Sequence, residues 1–213
     1  MIKFETFTLD NGLQVVFNQD KTTSLVAVNL LYNIGAKHEE DDATGFAHLF
    51  EHLMFSGSKN FENYDQIVER LGGESNAFTN NDITNYYLSV PNMYLQYALD
   101  LEADRMQNLN LNDKSLEVQK NVVIEEFKQR YINQPYGDLW KQIRELAFTV
   151  HPYQHQTIGK CIEHIENVTL ETAKQFYKNY YTPSNAVLAI SGDVELNDLK
   201  RLVENSFGKI PAT

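Results

Sequence analysis

Residues 43–55 read ATGFAHLFEHLMF, and this stretch combines the clearest helix pattern of the chain with its most distinctive polar residues. Its apolar side chains recur at intervals of three and four residues, as they do on the buried face of an amphipathic helix. Thr44 is expected to cap this helix, and Gly57 follows its end, where glycine often terminates helices. The stretch therefore predicts a helix that packs one face against a core.

The segments around this helix show strand and helix patterns without an internal repeat. Strand patterns occupy residues 4–9 and 13–17, on either side of an Asp-Asn-Gly turn, and residues 24–33, 75–79, 83–90 and 186–191. Further helix patterns occupy residues 64–71, 93–109, 113–130, 139–148, 170–180 and 195–207. Because strands and helices do not alternate regularly, we predict a single α+β domain over residues 1–213, with one β-sheet and helices mainly on one face.

Composition and charge exclude several classes of function. The 213 residues include 18 Lys+Arg and 29 Asp+Glu, a formal net charge of −11, which disfavours binding to nucleic acid or to an anionic membrane surface. No stretch approaches the roughly 18 consecutive apolar residues of a membrane span, and the first residues lack a signal-peptide pattern. We predict a globular protein without a nucleic-acid partner or a membrane span. The sequence does not determine the compartment, which is the cytoplasm or, if a leader was removed, the periplasm.

The helix predicted for residues 43–55 carries a metal-binding pattern. His48 and His52 are four residues apart, so their imidazoles lie one turn apart on the same face and can bind one divalent ion. Glu51 borders that face, where its carboxylate can accept a proton from a metal-bound water. The pattern H-x-x-E-H is a known zinc-peptidase signature. The alternative is a pair of histidines that are solvated or hydrogen-bonded in the core.

A catalytic zinc site needs a third protein ligand and an open position for water. The best candidates are Glu125 and Glu126, which follow the apolar residues 122–124 on another predicted helix. Adjacent helical residues point about 100° apart, so one of the pair can face the ion while the other faces elsewhere. Spacing alone does not choose between them, and either glutamate could instead be a solvated helix charge.

Two other polar groups are weaker candidates. His151 and His155 are also four residues apart, but Pro152 disfavours a helix across them, so we expect a loop and not a second metal site. The acidic run at residues 39–42 is expected to be a solvated loop, and its negative field beside the metal-binding helix would favour basic peptides.

A series of short motifs runs along nearly the whole chain. In order they are DNGLQV at 10–15, GFAHLFEHLMF at 45–55, GGESNAFT at 72–79, VVIEE at 122–126, NQPYG at 133–137, HPY at 151–153, YTPSNA at 181–186 and SGDV at 191–194. Taken together they resemble the catalytic N-terminal half of a pitrilysin/insulinase-type peptidase, the inverted zinc-motif family that includes mitochondrial processing peptidase. An ordered series of this kind is far more specific than one pentapeptide.

The resemblance implies a mixed, mostly antiparallel sheet and a zinc-dependent endopeptidase that hydrolyses extended peptides through a metal-activated water. One zinc ion would be bound by His48, His52 and Glu126, where Glu126 is selected because the family's distal glutamate ends a Val-Val-x-x-Glu run. Glu51 would be the general base. An edge strand near the zinc would pair with the peptide substrate, and its residues would be Asn76, Ala77, Phe78 and Thr79.

Two departures from the family pattern bear on activity. Many members have a glutamate seven residues before the distal ligand, where this chain has Gln119, and this change beside the ligands could weaken the orientation of the metal site. Members also carry a second, similarly folded half that helps to bind substrate. This chain is therefore expected to be the N-terminal half of a longer two-domain protein or to need a partner chain. The alternatives are a non-catalytic half that acts as a scaffold and a zinc hydrolase of another bond.

Overall fold

The computed structural model describes residues 2–212, and its strands form one sheet. The strands are β1 (Glu5–Thr8), β2 (Gln14–Gln19), β3 (Leu25–Tyr32), β4 (Glu74–Thr79), β5 (Thr84–Pro91) and β6 (Ala186–Gly192). They lie in the order β1-β2-β6-β3-β5-β4. Only β2 and β6 pair in parallel within this part of the chain, so the mixed, mostly antiparallel sheet is confirmed.

Eight α-helices occur within residues 2–212. They are α1 (Phe46–Leu53), α2 (Tyr64–Arg70), α3 (Leu95–Gln107), α4 (Asp113–Phe127), α5 (Leu139–Ala147), α6 (Ile162–Glu166), α7 (Leu170–Tyr180) and α8 (Leu196–Phe207). The helix predicted for residues 113–130 ends earlier, at Phe127, and continues as a wider π-helical turn over Lys128–Ile132. Helix α6 was not predicted. In the part of the chain that the structure describes, no helix has the length and hydrophobicity needed to cross a bilayer.

The sheet has one face in the core and one open face. Successive side chains of a strand point to opposite faces, and on β3 the residues Val26, Val28 and Leu30 are buried beneath the helices. Helices α1 and α3 pack on this side of the sheet. On the other face, the amides of Asn29 and Asn85 hydrogen-bond to each other across β3 and β5. The prediction of helices mainly on one face is confirmed.

The Asp-Asn-Gly turn joins β1 and β2 as the sequence predicts. Gly12 has a φ of +91°, a left-handed conformation that glycine adopts without steric cost. Asn11 lies buried in the turn and its side-chain nitrogen donates to the carbonyl oxygens of Phe207 and Ile210, at 2.8 and 3.0 Å. The turn therefore anchors the β-hairpin to the end of α8.

A buried ion pair lies on α3, between the sheet and the other helices. Arg105 is 2% exposed, and its Nε and Nη2 donate to the carboxylate of Glu102 at 2.9 and 2.6 Å. The guanidinium carbon lies 4.4 Å and 4.5 Å from the ring centroids of Tyr64 and Tyr86. Because removing one partner of a buried pair leaves the other charge uncompensated, this cluster resists local rearrangement.

Candidate metal centre

Helix α1 does not begin as the sequence predicted. The hydroxyl of Thr44 hydrogen-bonds with Nδ1 of His164 at 2.8 Å and accepts the N–H of Lys160 at 2.8 Å, so it does not cap the helix. The residue before the first helical turn is Gly45, with a left-handed φ of +95°. The prediction of Thr44 as the cap was wrong, because its side chain connects the start of α1 to α6 and to the loop that precedes α6.

Glu39 supplies the cap from outside the helix. Its two carboxylate oxygens accept the N–H groups of Gly45 and Ala47, at 2.8 and 2.7 Å. Burial raises the pKa of Glu39 to about 8, although the backbone N–H groups that it accepts favour its ionised form. Its oxygens satisfy N–H groups at the start of the helix that have no partner within the helix. The expectation of a solvated loop at residues 39–42 was therefore wrong for Glu39, which is half-buried, and holds for the three exposed residues that follow it. The preference for basic peptides stays a prediction.

The structure brings the three proposed zinc ligands together. The Nε2 atoms of His48 and His52 lie 3.6 and 3.3 Å from Oε2 of Glu126, and the ligand atoms of all three residues lie within 4.8 Å of one another. Two atoms bound tetrahedrally to one zinc ion at about 2.0–2.1 Å are roughly 3.4 Å apart. The arrangement therefore fits a single zinc ion, and residues 2–212 contain no second group of three such side chains.

The two candidate glutamates of α4 point in different directions. Glu126 directs Oε2 at the imidazoles, while its Oε1 lies 2.7 Å from Nη2 of Arg130, one turn further along the chain. Glu125 is exposed and forms an ion pair with Lys128 at 2.7 Å. Of the two residues between which spacing did not choose, Glu126 is the one that can share an ion with the histidines.

The protonation states also suit a metal ion. Burial holds the pKa of His48 well below its usual range, so its imidazole is neutral at physiological pH, as a metal ligand must be. A hydrogen bond with His52 lowers the pKa of the Glu126 carboxyl and keeps it ionised. Nδ1 of His48 is buried and makes no hydrogen bond within residues 2–212, so packing orients this ring.

The remaining residues of the predicted site lie on or beside these helices. Glu51 is half-buried and precedes His52 on α1. Gln119 lies seven residues before Glu126 on α4, and its side-chain amide donates to the hydroxyl of Ser56 at 3.3 Å. Because Ser56 lies three residues beyond the end of α1, Gln119 connects α4 to the turn that follows α1.

Strand β4 forms an edge of the sheet and packs beside α1. The N–H of Ala77 donates to the side-chain oxygen of Asn76 at 2.8 Å. The N–H of Asn80, three positions further on, donates across the hairpin to the carbonyl of Ile83 at 3.0 Å. In an antiparallel strand, the N–H and the carbonyl of one residue point to the same side of the strand, and that side alternates from each residue to the next. Ala77 therefore presents its N–H and carbonyl to the open edge. Phe78 is 44% exposed and half-buried Thr79 ends the strand.

His151 and His155 lie in a loop with a short turn at Pro152–Gln154, as predicted. Nδ1 of His151 accepts the N–H of Tyr153 at 3.2 Å, which gives this histidine a structural contact. His155 is buried, and neither residue belongs to a group of metal-binding side chains among residues 2–212.

Sequence reasoning missed two residues that support the centre. Arg130 lies four residues after Glu126, and this i, i+4 spacing of opposite charges was a signal that could have indicated the pair. Glu39 lies six and eight residues from the N–H groups it accepts. No spacing pattern in the sequence predicts that a carboxylate in a loop caps a helix six to eight residues further along the chain.

Two imidazoles on one helix, a carboxylate from a second helix and an H-x-x-E-H sequence together define the inverted-motif class of zinc peptidase site. A family profile described as "Insulinase (Peptidase family M16)" matches residues 14–160, and one described as "Peptidase M16 inactive domain" matches residues 167–213. The chain belongs to peptidase family M16, the insulinase family. The resemblance found in the sequence is confirmed.

Similar proteins include zinc proteases of bacteria. Zinc protease PqqE of Helicobacter pylori is 38% identical over 208 residues, which are 96% of this chain and 47% of that protein. Mitochondrial-processing peptidase subunit beta of Neurospora crassa is 29% identical over 221 residues, covering 100% of this chain and 44% of that protein. The crystal structure of a protease from Helicobacter pylori matches with a TM-score of 0.95 at 36% identity, covering 99% of this chain and 51% of that one. The chain thus spans about half the length of these relatives.

Proposed function

We propose that this chain is the catalytic half of a zinc-dependent endopeptidase. The observation that supports the proposal is the convergence of His48, His52 and Glu126, whose ligand atoms lie within 4.8 Å of one another. These side chains come from two helices that are far apart in the sequence, and the protonation states of His48 and Glu126 are those that metal binding requires.

The proposed chemistry uses one further side chain of α1. His48, His52 and Glu126 would hold the zinc ion, which when bound acts as a Lewis acid and makes water a nucleophile near neutral pH. Glu51, on the same helix, would accept the proton of the attacking water and return it to the leaving amine nitrogen. Arg130 would keep the carboxylate of Glu126 directed at the imidazoles, because it holds the other oxygen at 2.7 Å.

The substrate would be an extended peptide added to the sheet at β4. Ala77 can offer its N–H and carbonyl to the main chain of such a peptide, and Asn76, Phe78 and Thr79 would line the same strand. Pairing of this kind recognises the backbone and reads the side chains weakly. The side-chain oxygen of Asn76 would have to release the N–H of Ala77 before the peptide could accept it.

Replacing Ala77 by proline tests this pairing in the full-length protein. Ala77→Pro removes the N–H, at an edge position where proline is tolerated, and loss of this bond is expected to lower kcat/KM for an extended peptide roughly tenfold. Ala77→Gly retains the N–H and serves as the control. Zinc content and kcat/KM are measured for both variants. An unchanged kcat/KM in Ala77→Pro, or equal losses in the two variants, contradicts a role for β4 in binding.

We also propose that a second, homologous half completes the protein, either in the same chain or as a partner chain. The support is that the chain covers 47% and 44% of two relatives. The competing proposal, a scaffold half without activity, is disfavoured because the structure brings a complete ligand set together.

Metal removal separates these proposals. Full-length protein purified without added metal is expected to contain about one zinc ion per catalytic half, and a chelator should abolish hydrolysis of a quenched fluorescent peptide until zinc is restored. Zinc is measured by elemental mass spectrometry, and protein treated with zinc-saturated chelator is the control. A protein without stoichiometric zinc that still hydrolyses the peptide would contradict the proposal, and one with neither zinc nor activity would favour the scaffold.

A further inference from the structure

The backbone carbonyl of Phe50 is a point of contact between the sheet and the middle of α1. It accepts the helical N–H of Met54 at 3.0 Å and also the hydroxyl of Tyr86 at 3.2 Å. Tyr86 belongs to β5, in the core face of the sheet. One hydroxyl therefore joins β5 to the helical turns that carry both candidate histidines and Glu51.

Tyr86 is itself held rigidly. Its side chain is 1% exposed, and its ring centroid lies 4.5 Å from the guanidinium carbon of Arg105. The hydroxyl oxygens of Tyr86 and Tyr181 are 3.1 Å apart. A phenol carries one proton, and because Tyr86 gives its proton to Phe50, Tyr181 is the donor in this second bond. Arg105 is fixed in turn by Glu102, so Tyr86 cannot move without disturbing the buried ion pair.

The hydroxyls of Tyr86 and Tyr181 both retain their protons. Burial raises the pKa of Tyr86 and that of Tyr181, and the nearby charge of Glu51 adds to both shifts. Both phenols therefore stay protonated, and the bond to Phe50 persists over the whole physiological pH range.

A zinc site divided between two helices requires that neither helix rotates. A side-chain atom about 5 Å from a helix axis moves by roughly 1 Å when the helix rotates by about 10°, whereas zinc–ligand distances tolerate about 0.2 Å. Helix α1 has 8 residues and Glu126 comes from α4. The hydrogen bond between Tyr86 and the carbonyl of Phe50, near the middle of α1, can restrict this rotation.

We propose that Tyr86 is a positioning residue of the zinc site, whose hydroxyl sets the rotation of α1 so that His48 and His52 point at Glu126. This inference rests on the proposed zinc-dependent function. Tyr86 touches neither the ion nor the substrate and acts through the carbonyl of Phe50.

Tyr64 offers a matched control for the test. Its ring lies 4.4 Å from the same guanidinium, and its buried hydroxyl donates at 2.6 Å to Glu102 instead of to α1. The variants Tyr86→Phe and Tyr64→Phe therefore each remove one buried hydroxyl from the same cluster. Only the first loses a contact with the helix that carries the histidines.

The experiment compares zinc affinity and unfolding temperature in the full-length protein. We expect Tyr86→Phe to raise the zinc dissociation constant, measured by competition with a chromogenic chelator, about tenfold, the lower end of the range for groups that orient metal ligands. Tyr64→Phe should leave this constant within about twofold of wild type. Without zinc, Tyr86→Phe and Tyr64→Phe should both unfold below the wild-type temperature, and by similar amounts. Tyr181→Phe, which removes the donor to Tyr86 and retains the bond to Phe50, should fall between them.

Other outcomes distinguish failure of the positioning role from failure of the proposed function. Wild-type zinc affinity in Tyr86→Phe, or an equal loss of affinity in Tyr86→Phe and Tyr64→Phe, overturns the positioning role and leaves the proposed function intact. Absence of zinc binding by the wild-type protein overturns the proposed function, and the positioning role with it.

Discussion

Replacing Glu51 by glutamine in the full-length protein is expected to lower kcat for peptide hydrolysis by about 10²–10⁴-fold, the usual contribution of a general acid–base group. Glutamine has the shape of glutamate but cannot take up the proton of the attacking water. Glu51 is not one of the three side chains whose ligand atoms converge. Zinc content should therefore remain at the wild-type level while turnover is lost.

The measurement combines kcat on a quenched fluorescent peptide with zinc determination on the same sample. Glu69→Gln is a suitable control, because it makes the same chemical change at an exposed position of α2. Unchanged turnover in Glu51→Gln would remove Glu51 from the mechanism. Loss of zinc together with turnover would instead assign it a role in holding the ion.

The second large effect is expected at the distal ligand. Glu126→Gln should weaken zinc binding at least about 100-fold, since removal of a ligand exceeds the 10–100-fold cost of changing a group that merely supports one. The imidazoles of His48 and His52 would remain, without the carboxylate oxygen that lies 3.6 and 3.3 Å from them. Arg130 would also lose the carboxylate with which it pairs.

Glu125→Gln is the matched control for Glu126→Gln, one residue away on the same helix. It removes only a surface ion pair with Lys128, which contributes little to stability. Both dissociation constants are measured by chelator competition, and circular dichroism establishes that both variants are folded. Equal affinities in the two variants would show that the third ligand lies elsewhere.

Periodicity predicted the strands and most of the helices because their apolar side chains repeat at strand or helix spacing. This spacing does not require burial, since α5 was predicted although none of its residues is buried. Helix α6 has 5 residues, too few for a 3.6-residue pattern to be seen. The π-helical turn after Phe127 likewise has no pattern of its own, because it continues the apolar spacing of α4. The sequence therefore identified the elements better than it located their ends.

The residues of the candidate site differ in the same way: some can be found from local spacing, and others depend on contacts between distant parts of the chain. His48 and His52 could be found from spacing because both lie on one helix. Glu126 could not be separated from Glu125 by spacing alone, because the rotation of α4 depends on tertiary packing, and it was chosen through the family resemblance. Tyr86 left no sequence signal, since its bond to Phe50 spans 36 positions.

The bond between Asn76 and Ala77 has a bearing on solubility. A sheet edge with free N–H and carbonyl groups is a template for pairing with another molecule, and unwanted pairing leads to aggregation. If β4 binds peptides as proposed, its edge cannot be buried. In this chain the Asn76 side chain occupies the N–H of Ala77. This N–H is thereby less available for pairing with other copies, whereas the proposed peptide substrate would displace the Asn76 side chain, which holds the N–H by one hydrogen bond.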